Sequence, residues 1–293
     1  MRKYSANLQN GIWDDEMNLN ELKITIANKS HIPYLKEIWR LCFGDSKEYI
    51  DFFFKNRFDT CIGITALYNG KPIAGMYLMP VTTHEYGVPK SGYYAYAIGI
   101  LPEYRGNGIY AYIQSKLYDY VRDNDKFIIL CPANEKLCEY YKSLGYTENA
   151  YVSERVYTIN ENLKNYGTRE LITSDYERLR KSYTEDKNSI IWNNNALRYV
   201  LLENKFTGGE NLLIDYNDTE IFAVIRKNAN SLVITESNAP PETRQALTDF
   251  LCTHFNVEKI KWITPDEGRN NKILYGLSCN LKKDYYYLNL ILN

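Results

Sequence analysis

The sequence predicts an α+β fold, a mixed central sheet flanked by helices, followed by a second αβ unit in the same chain. Three observations carry this. Residues 98–109 pass from a β-branched strand through a turn with Gly106 and Gly108 into an amphipathic helix. A short helix opening at Asn134 and closed by Gly145 follows about two dozen residues later. Beyond residue 167 the order of three strands, helix, strand is repeated. With 293 residues, 45% of them apolar, the chain can fill two cores.

The elements follow in order. Residues 1–20 lack periodicity and predict a loose extension. Residues 22–27 alternate as a strand, and Ser30 opens a helix carrying Ile32, Leu35, Ile38, Trp39 and Cys42 on one face. Gly44 breaks it, and residues 49–54 begin a second helix. Residues 61–68 and 72–79 read as a hairpin, because Asn69-Gly70 supplies the two left-handed positions of a tight turn. Residues 93–101 form the next strand. The helix after Gly108 buries Ile109, Tyr112, Ile113, Leu117, Tyr120 and Val121, and residues 127–130 are a buried strand.

A polar stretch at 160–167 reads as a linker, which divides the chain into units at 21–159 and 168–293. In the second unit, residues 176–183 and 196–202 predict helices, and residues 212–214, 220–226, 232–235 and 259–263 predict strands. A helix begins at Pro240-Pro241, where missing N–H groups cost least. Residues 285–292 are β-prone and apolar, and predict a last strand tucked into the protein.

The turn at 105–110 has the chemistry of a phosphate site. Arg105, Gly106, Asn107 and Gly108 can present successive backbone N–H groups as a concave nest. The start of the following helix, at Ile109 and Tyr110, adds its positive dipole end. In the second unit Ser237-Asn-Ala-Pro-Pro241 occupies the matching place, and prolines have no N–H to offer.

Two motifs together resemble the GNAT superfamily of acyl-CoA N-acyltransferases over residues 22–150. Arg105 and Gly108 match its Arg/Gln-x-x-Gly-x-Gly/Ala signature, with Tyr110 where a small residue is usual. Asn134, Tyr141, Gly145 and Tyr146 match its later Asn, Tyr and Gly-Phe pattern. A large residue at the Tyr110 position together with a second unit resembles the enhanced intracellular survival acetyltransferases. The resemblance implies a GNAT fold followed by a degenerate GNAT-like domain without its own CoA. It also implies acetyl-CoA as cosubstrate and direct attack of a primary amine of a small molecule or peptide on the thioester. Ile98, Gly99 and Ile100 would line the thioester and pantetheine, and one strand N–H, of Ile98 or a neighbour, would hold the oxyanion. Arg105, Gly106, Asn107, Gly108, Ile109 and Tyr110 would take the pyrophosphate, and Asn134 is a helix cap, a CoA ligand or both. Tyr141 would donate a proton to the leaving thiolate, against a packing role as one of 28 tyrosines. For the general base the strand before the turn offers no carboxylate, so His84 and Glu85, placed in a loop, and the terminal carboxylate of Asn293 are the candidates. A non-catalytic acyl-CoA binder or sensor is the alternative.

Composition narrows the partners. A net charge of -1 without a basic block argues against nucleic acid. No apolar run reaches the length of a membrane span, and residues 1–20 lack a signal-peptide core. Six scattered cysteines read as reduced residues of a cytoplasmic protein, and no metal is expected. The Asn, Lys, Ile and Tyr bias suits an AT-rich, bacterial source. A monomer or homodimer is expected.

Overall fold

The computed structural model describes residues 17–160, 165–185, 188–265 and 272–289. Its first half runs β1 (Lys23–Ile26), α1 (Ile32–Phe43), α2 (Lys47–Asn56), β2 (Ile62–Tyr68), β3 (Lys71–Glu85), β4 (Val88–Ile100), α3 (Ile109–Asp123), β5 (Phe127–Leu130), α4 (Glu135–Ser143) and β6 (Thr147–Thr158). The second runs β7 (Gly167–Glu170), α5 (Thr173–Thr184), β8 (Ile191–Trp192), α6 (Asn194–Phe206), β9 (Glu210–Tyr216), β10 (Thr219–Asn228), β11 (Ser231–Ser237), α7 (Arg244–Phe255), β12 (Lys259–Thr264) and β13 (Lys272–Cys279). This is the GNAT fold, a mixed sheet with helices on both faces.

One sheet runs through both halves, in the order β1-β2-β3-β4-β5-β13-β6-β12-β11-β10-β9-β7, with β8 beside β3. The halves interlock: β13, late in the chain, lies between β5 and β6, and β6 has β12 on its other side. Among the described residues each half carries one parallel strand pair, β4 with β5 and β11 with β12, and the other strand pairs are antiparallel. On one face α1 and α2 share a core with α5 and α6; on the other, α3 and α4 cover β3, β4 and β5.

Local chemistry explains the ends of these elements. Asn69 and Gly70 both have positive φ, as the tight turn between β2 and β3 requires. Gly44 closes α1 in the left-handed conformation, its N–H bonded to the Arg40 carbonyl. Gly99 of β4 allows α1 to approach closely, since a Cβ there would lie 3.1 Å from the Cys42 sulfur.

Several expectations need correction. Only residues 1–16 of the extension lie outside the described residues; Leu19–Glu21 form a 3-10 turn capped by Asn18, and Leu22 is buried. Helix α1 is led in by Asn28, whose side chain accepts from the Ser30 N–H, rather than by Ser30. Strands β3 and β4 extend through a second tight turn at Tyr86-Gly87, so His84 and Glu85 belong to a strand and not to a loop. The polar character of that outer ribbon hid it. Within the linker, residues 161–164 lie outside the described residues and Gly167 already opens β7. The Pro240-Pro241 start gives a 3-10 turn at Pro241–Thr243, and α7 begins at Arg244.

The last strand is β13, at Lys272–Cys279, while residues 285–289 run extended with isolated bridges at Tyr286 and Tyr287. Residues 286–289 are nonetheless buried, tied by the Tyr287 hydroxyl to Glu236 and by the Trp192 Nε1 to the Asn289 carbonyl. Residues 290–293 lie outside the described residues, and with them the Asn293 carboxylate.

Candidate active site

The site begins where two parallel strands part. β4 and β5 pair only at Gly92 with Phe127, Tyr93 with Ile128 and Tyr94 with Ile129. Beyond Tyr94 they diverge, and a cleft of about 330 Å³ opens between them. Tyr94, Ala95, Tyr96, Ala97 and Ile98 form one wall; Leu130, Cys131, Leu137 and Tyr141 form the other. Trp39 and Asp45 stand at the α1 side, the Trp39 Nε1 donating to the Asp45 carboxylate at 2.7 Å.

A bulge shapes the β4 wall. Ala97 has φ of 47°, and the pairing with β3 shifts register between Gly75 and Tyr77, so neither Ala97 nor Ile98 has a partner residue on β3 or β5. An alanine in the left-handed region leaves no trace in a sequence, and the bulge was not foreseen.

The turn into α3 departs from the expected nest at its first position. The Arg105 N–H is bonded to the Pro102 carbonyl at 3.2 Å, and its side chain turns back to the Ile100 carbonyl at 3.0 Å. The unclaimed N–H row therefore starts at Gly106 rather than Arg105. Gly106 and Gly108 have φ of 86° and 73°, and Gly108 is the N-cap of a 15-residue helix without a capping side chain. The first N–H groups of α3, from Ile109, Tyr110 and Ala111, have no carbonyl within the helix.

Tyr110 does not crowd this turn. Its ring is buried beneath the helix, and its hydroxyl lies 3.3 Å from both Gln114 Oε1 and the Tyr146 hydroxyl. Tyr141 is packed among Tyr110, Tyr140 and Tyr146 while still bordering the cleft. Burial pushes its hydroxyl up to about 12, with small additions from Tyr140 and Cys131. Burial likewise raises Cys131 to about 11.

The expected residues are thus sorted. Ile98 and Tyr141 border the cleft, and Gly106, Asn107, Gly108, Ile109 and Tyr110 make the turn and helix start. Gly99 faces α1, and Ile100 contributes the carbonyl that holds Arg105. Asn134 caps α4, its Oδ1 accepting the Leu137 N–H at 2.9 Å, so that oxygen is engaged. Glu85 is buried and engaged with Lys90 and Tyr286, with no place on the cleft, which rules it out as the base there. His84 borders a different cavity, of about 440 Å³, near α5.

The cleft's rear wall holds residues that sequence reasoning missed. Tyr96 touches the Tyr49 hydroxyl, which in turn reaches Glu203 of α6. Glu203 lies on the stripe of Ala196, Tyr199 and Val200, at i+7, i+4 and i+3, and a carboxylate on an apolar face was the available signal. Elsewhere Cys138, Glu139 and Glu148 gather within 4.8 Å of one another, and the Lys142 ammonium already pairs with both carboxylates. All six cysteines are free thiols. Among the described residues no helix is long and apolar enough to cross a membrane.

Comparison with known proteins bears on the fold. Residues 23–148 match the family model of the acetyltransferase (GNAT) domain. A probable N-acyltransferase from Enterococcus faecalis V583 superposes with a TM-score of 0.71 at 15% identity, covering 88% of this chain and 72% of that one. A GCN5-related N-acetyltransferase from Anabaena variabilis gives 0.68 at 16% identity over 88% and 72%. Eis1 from Mycobacterium abscessus gives 0.61 at 11% over 88% and 73%. No curated protein sequence matched.

Proposed function

We propose that this chain, whose residues 23–148 match the GNAT acetyltransferase family model, transfers an acetyl group from acetyl-CoA to a primary amine of a small molecule or peptide. The observation that carries the reading is the parting of β4 and β5 beside the N–H row that begins at Gly106. Pantetheine would lie against the unpaired edge of β4, and the pyrophosphate against Gly106 to Tyr110, where oriented N–H groups and the helix dipole favour negative charge. The N–H of Ile98, in the bulge, would meet the oxyanion as the amine attacks the thioester carbon. That attack forms the C–N bond, and the C–S bond breaks as the intermediate collapses.

Tyr141 would assist the sulfur as it leaves. At about 12, its hydroxyl is protonated at neutral pH. Full transfer to a thiolate near 8.5 would be uphill by about 5 kcal/mol, so a hydrogen bond to the nascent thiolate is the stronger role. The same burial that raises Cys131 would raise the coenzyme thiol and narrow this gap.

The second half would wall the acceptor pocket while holding no CoA itself, as a degenerate GNAT-like domain behind the catalytic one. Its loop at 237–241 offers two prolines where the first half offers glycines. Free cysteines suit a cytoplasmic setting. Amine-dependent release of CoA thiol from acetyl-CoA, measured over a panel of amines, tests the reading; saturable CoA binding without turnover would instead indicate the binder or sensor.

A further inference from the structure

We propose that Tyr96, Tyr49 and Glu203 form a proton path that takes the ammonium proton of the acceptor amine out of the β4–β5 cleft; this rests on the acyl-transfer reading above. Tyr96 borders the cleft, and its hydroxyl lies 3.4 Å from that of Tyr49. Tyr49 donates to Glu203 Oε1 at 3.3 Å, and Arg226 holds the other oxygen, Oε2, at 3.3 Å. An ionised carboxylate can only accept, and each hydroxyl has one proton. With Tyr49 donating to Glu203, Tyr96 donates to Tyr49, and a Tyr96 lone pair is left for an N–H in the cleft. The chain of hydroxyls therefore has a direction, from the cleft to the carboxylate.

The chemistry balances along it. An amine arriving as its ammonium ion gives one proton to the Tyr96 oxygen as Tyr96 passes its own to Tyr49 and Tyr49 passes its own to Glu203, which becomes the neutral acid. The freed nitrogen lone pair attacks the thioester carbon. The second N–H proton leaves with the sulfur, and Glu203 releases its proton to solvent before the next turnover. Tyr96 acts on the substrate directly; Glu203 acts through the two tyrosines and positions them.

The groups facing Glu203 are Arg226 from β10, Tyr49 from α2, Tyr96 from β4 and Tyr199 from α6 itself. Burial raises the Glu203 carboxyl above the usual range, with Arg226 and Tyr49 opposing, which makes it a better base than an exposed glutamate. Glu203 comes from the second half of the chain. A base on β4 is then unnecessary, which accounts for the lack of any carboxylate between Tyr93 and Ile100.

The test uses the full chain, acetyl-CoA, a primary alkylamine that the wild type acetylates and an arylamine that arrives neutral, over about pH 6 to 10. Tyr96→Phe and Glu203→Gln should lower turnover of the alkylamine on the order of 100-fold at neutral pH. That loss should shrink about tenfold per pH unit as the amine deprotonates in solution. The arylamine, which brings no ammonium proton, should lose far less than the alkylamine in each variant. Tyr49→Phe, which removes one oxygen between packed rings, should behave alike and decides the matter if Glu203→Gln fails to fold. Equal fractional losses for both amines at every pH, or variants that keep the wild-type profile, would overturn the path while leaving acyl transfer standing. A wild type inactive on every amine would instead overturn the acyl-transfer reading itself.

Discussion

The ring of Tyr110 meets that of Tyr141 edge to face, with centroids 5.5 Å apart and planes at 78°. The contact joins the helix that starts at the turn proposed to take the pyrophosphate to the side chain proposed to assist the leaving thiolate. It also explains the large residue where the GNAT signature expects a small one: Tyr110 fills the core under α3 rather than the anion's approach. Replacing it by the family's small residue should not tighten CoA binding. Tyr110→Ala should cost about 3–5 kcal/mol of stability in urea unfolding, because it empties a packed aromatic site and strips Gln114 and Tyr146 of a hydroxyl partner. A stable Tyr110→Ala protein with tighter CoA binding would show that the ring obstructs the site.

Tyr141→Phe removes one hydroxyl and keeps the packing with Tyr140 and Tyr146. Turnover should fall by about 10- to 100-fold while the CoA dissociation constant changes little, which steady-state kinetics and calorimetry can separate. Equal loss in both would make Tyr141 a binding or packing residue.

Gly106 and Gly108 have φ of 86° and 73°; a Cβ at Gly106 would meet nothing within 4 Å, and one at Gly108 would meet only the Leu19 Cδ1, at 3.9 Å. Steric room is therefore not the constraint; backbone conformation is. Gly106→Val with Gly108→Val would strain both positions by about 1–3 kcal/mol each and turn the N–H row away. CoA affinity measured by calorimetry should fall by at least about 100-fold, given the loss of two or more charge-assisted hydrogen bonds. Unchanged affinity would place the pyrophosphate elsewhere.

Glu85 ties the end of β3 to residue 286. Burial alone would raise its carboxyl, yet the Tyr286 hydroxyl, the Lys282 N–H and the Lys90 ammonium hold it below the usual carboxylate range. A lowered folded-state value means the stabilisation is complete above the unfolded value near 4.3 and is lost as pH falls through the folded one. The wild type should lose stability through that acid window, and Glu85→Gln should be less stable at neutral pH with a flatter acid limb. Identical profiles from denaturant melts at a series of pH values would show that Glu85 does not bear on stability.

Cutting the chain after Asn160 would remove β12 and β13 together, leaving β6 without a neighbour on either side and β5 with a bare edge. Exposed edges of apolar strands pair with other chains. The fragment should aggregate or stay unfolded in light scattering and circular dichroism, whereas a soluble, active fragment would show that the first unit stands alone.

Much of the first half was legible in the sequence, because its elements are marked by local chemistry: Asn69-Gly70, the glycines at 106 and 108, and the cap at Asn134 each leave a residue-type signature. The interlocking was not. β13 enters between β5 and β6 through pairings over a hundred residues apart, and no local pattern in 272–279 names its neighbours. The bulge at Ala97 is set by tertiary packing, since alanine has no preference for positive φ. Glu203 could have been singled out as a carboxylate on an apolar helix face, but its reach to Tyr49 required the fold.

The account rests most directly on amine-dependent thiol release. Wild-type protein given acetyl-CoA and a panel of primary amines should release CoA thiol at a rate that depends on one class of amine, with acetyl-amine formed in equal amount and with Tyr141→Phe slowed. Saturable CoA binding with no amine-dependent thiol release from any of them would contradict acyl transfer and leave a protein that holds CoA without using it.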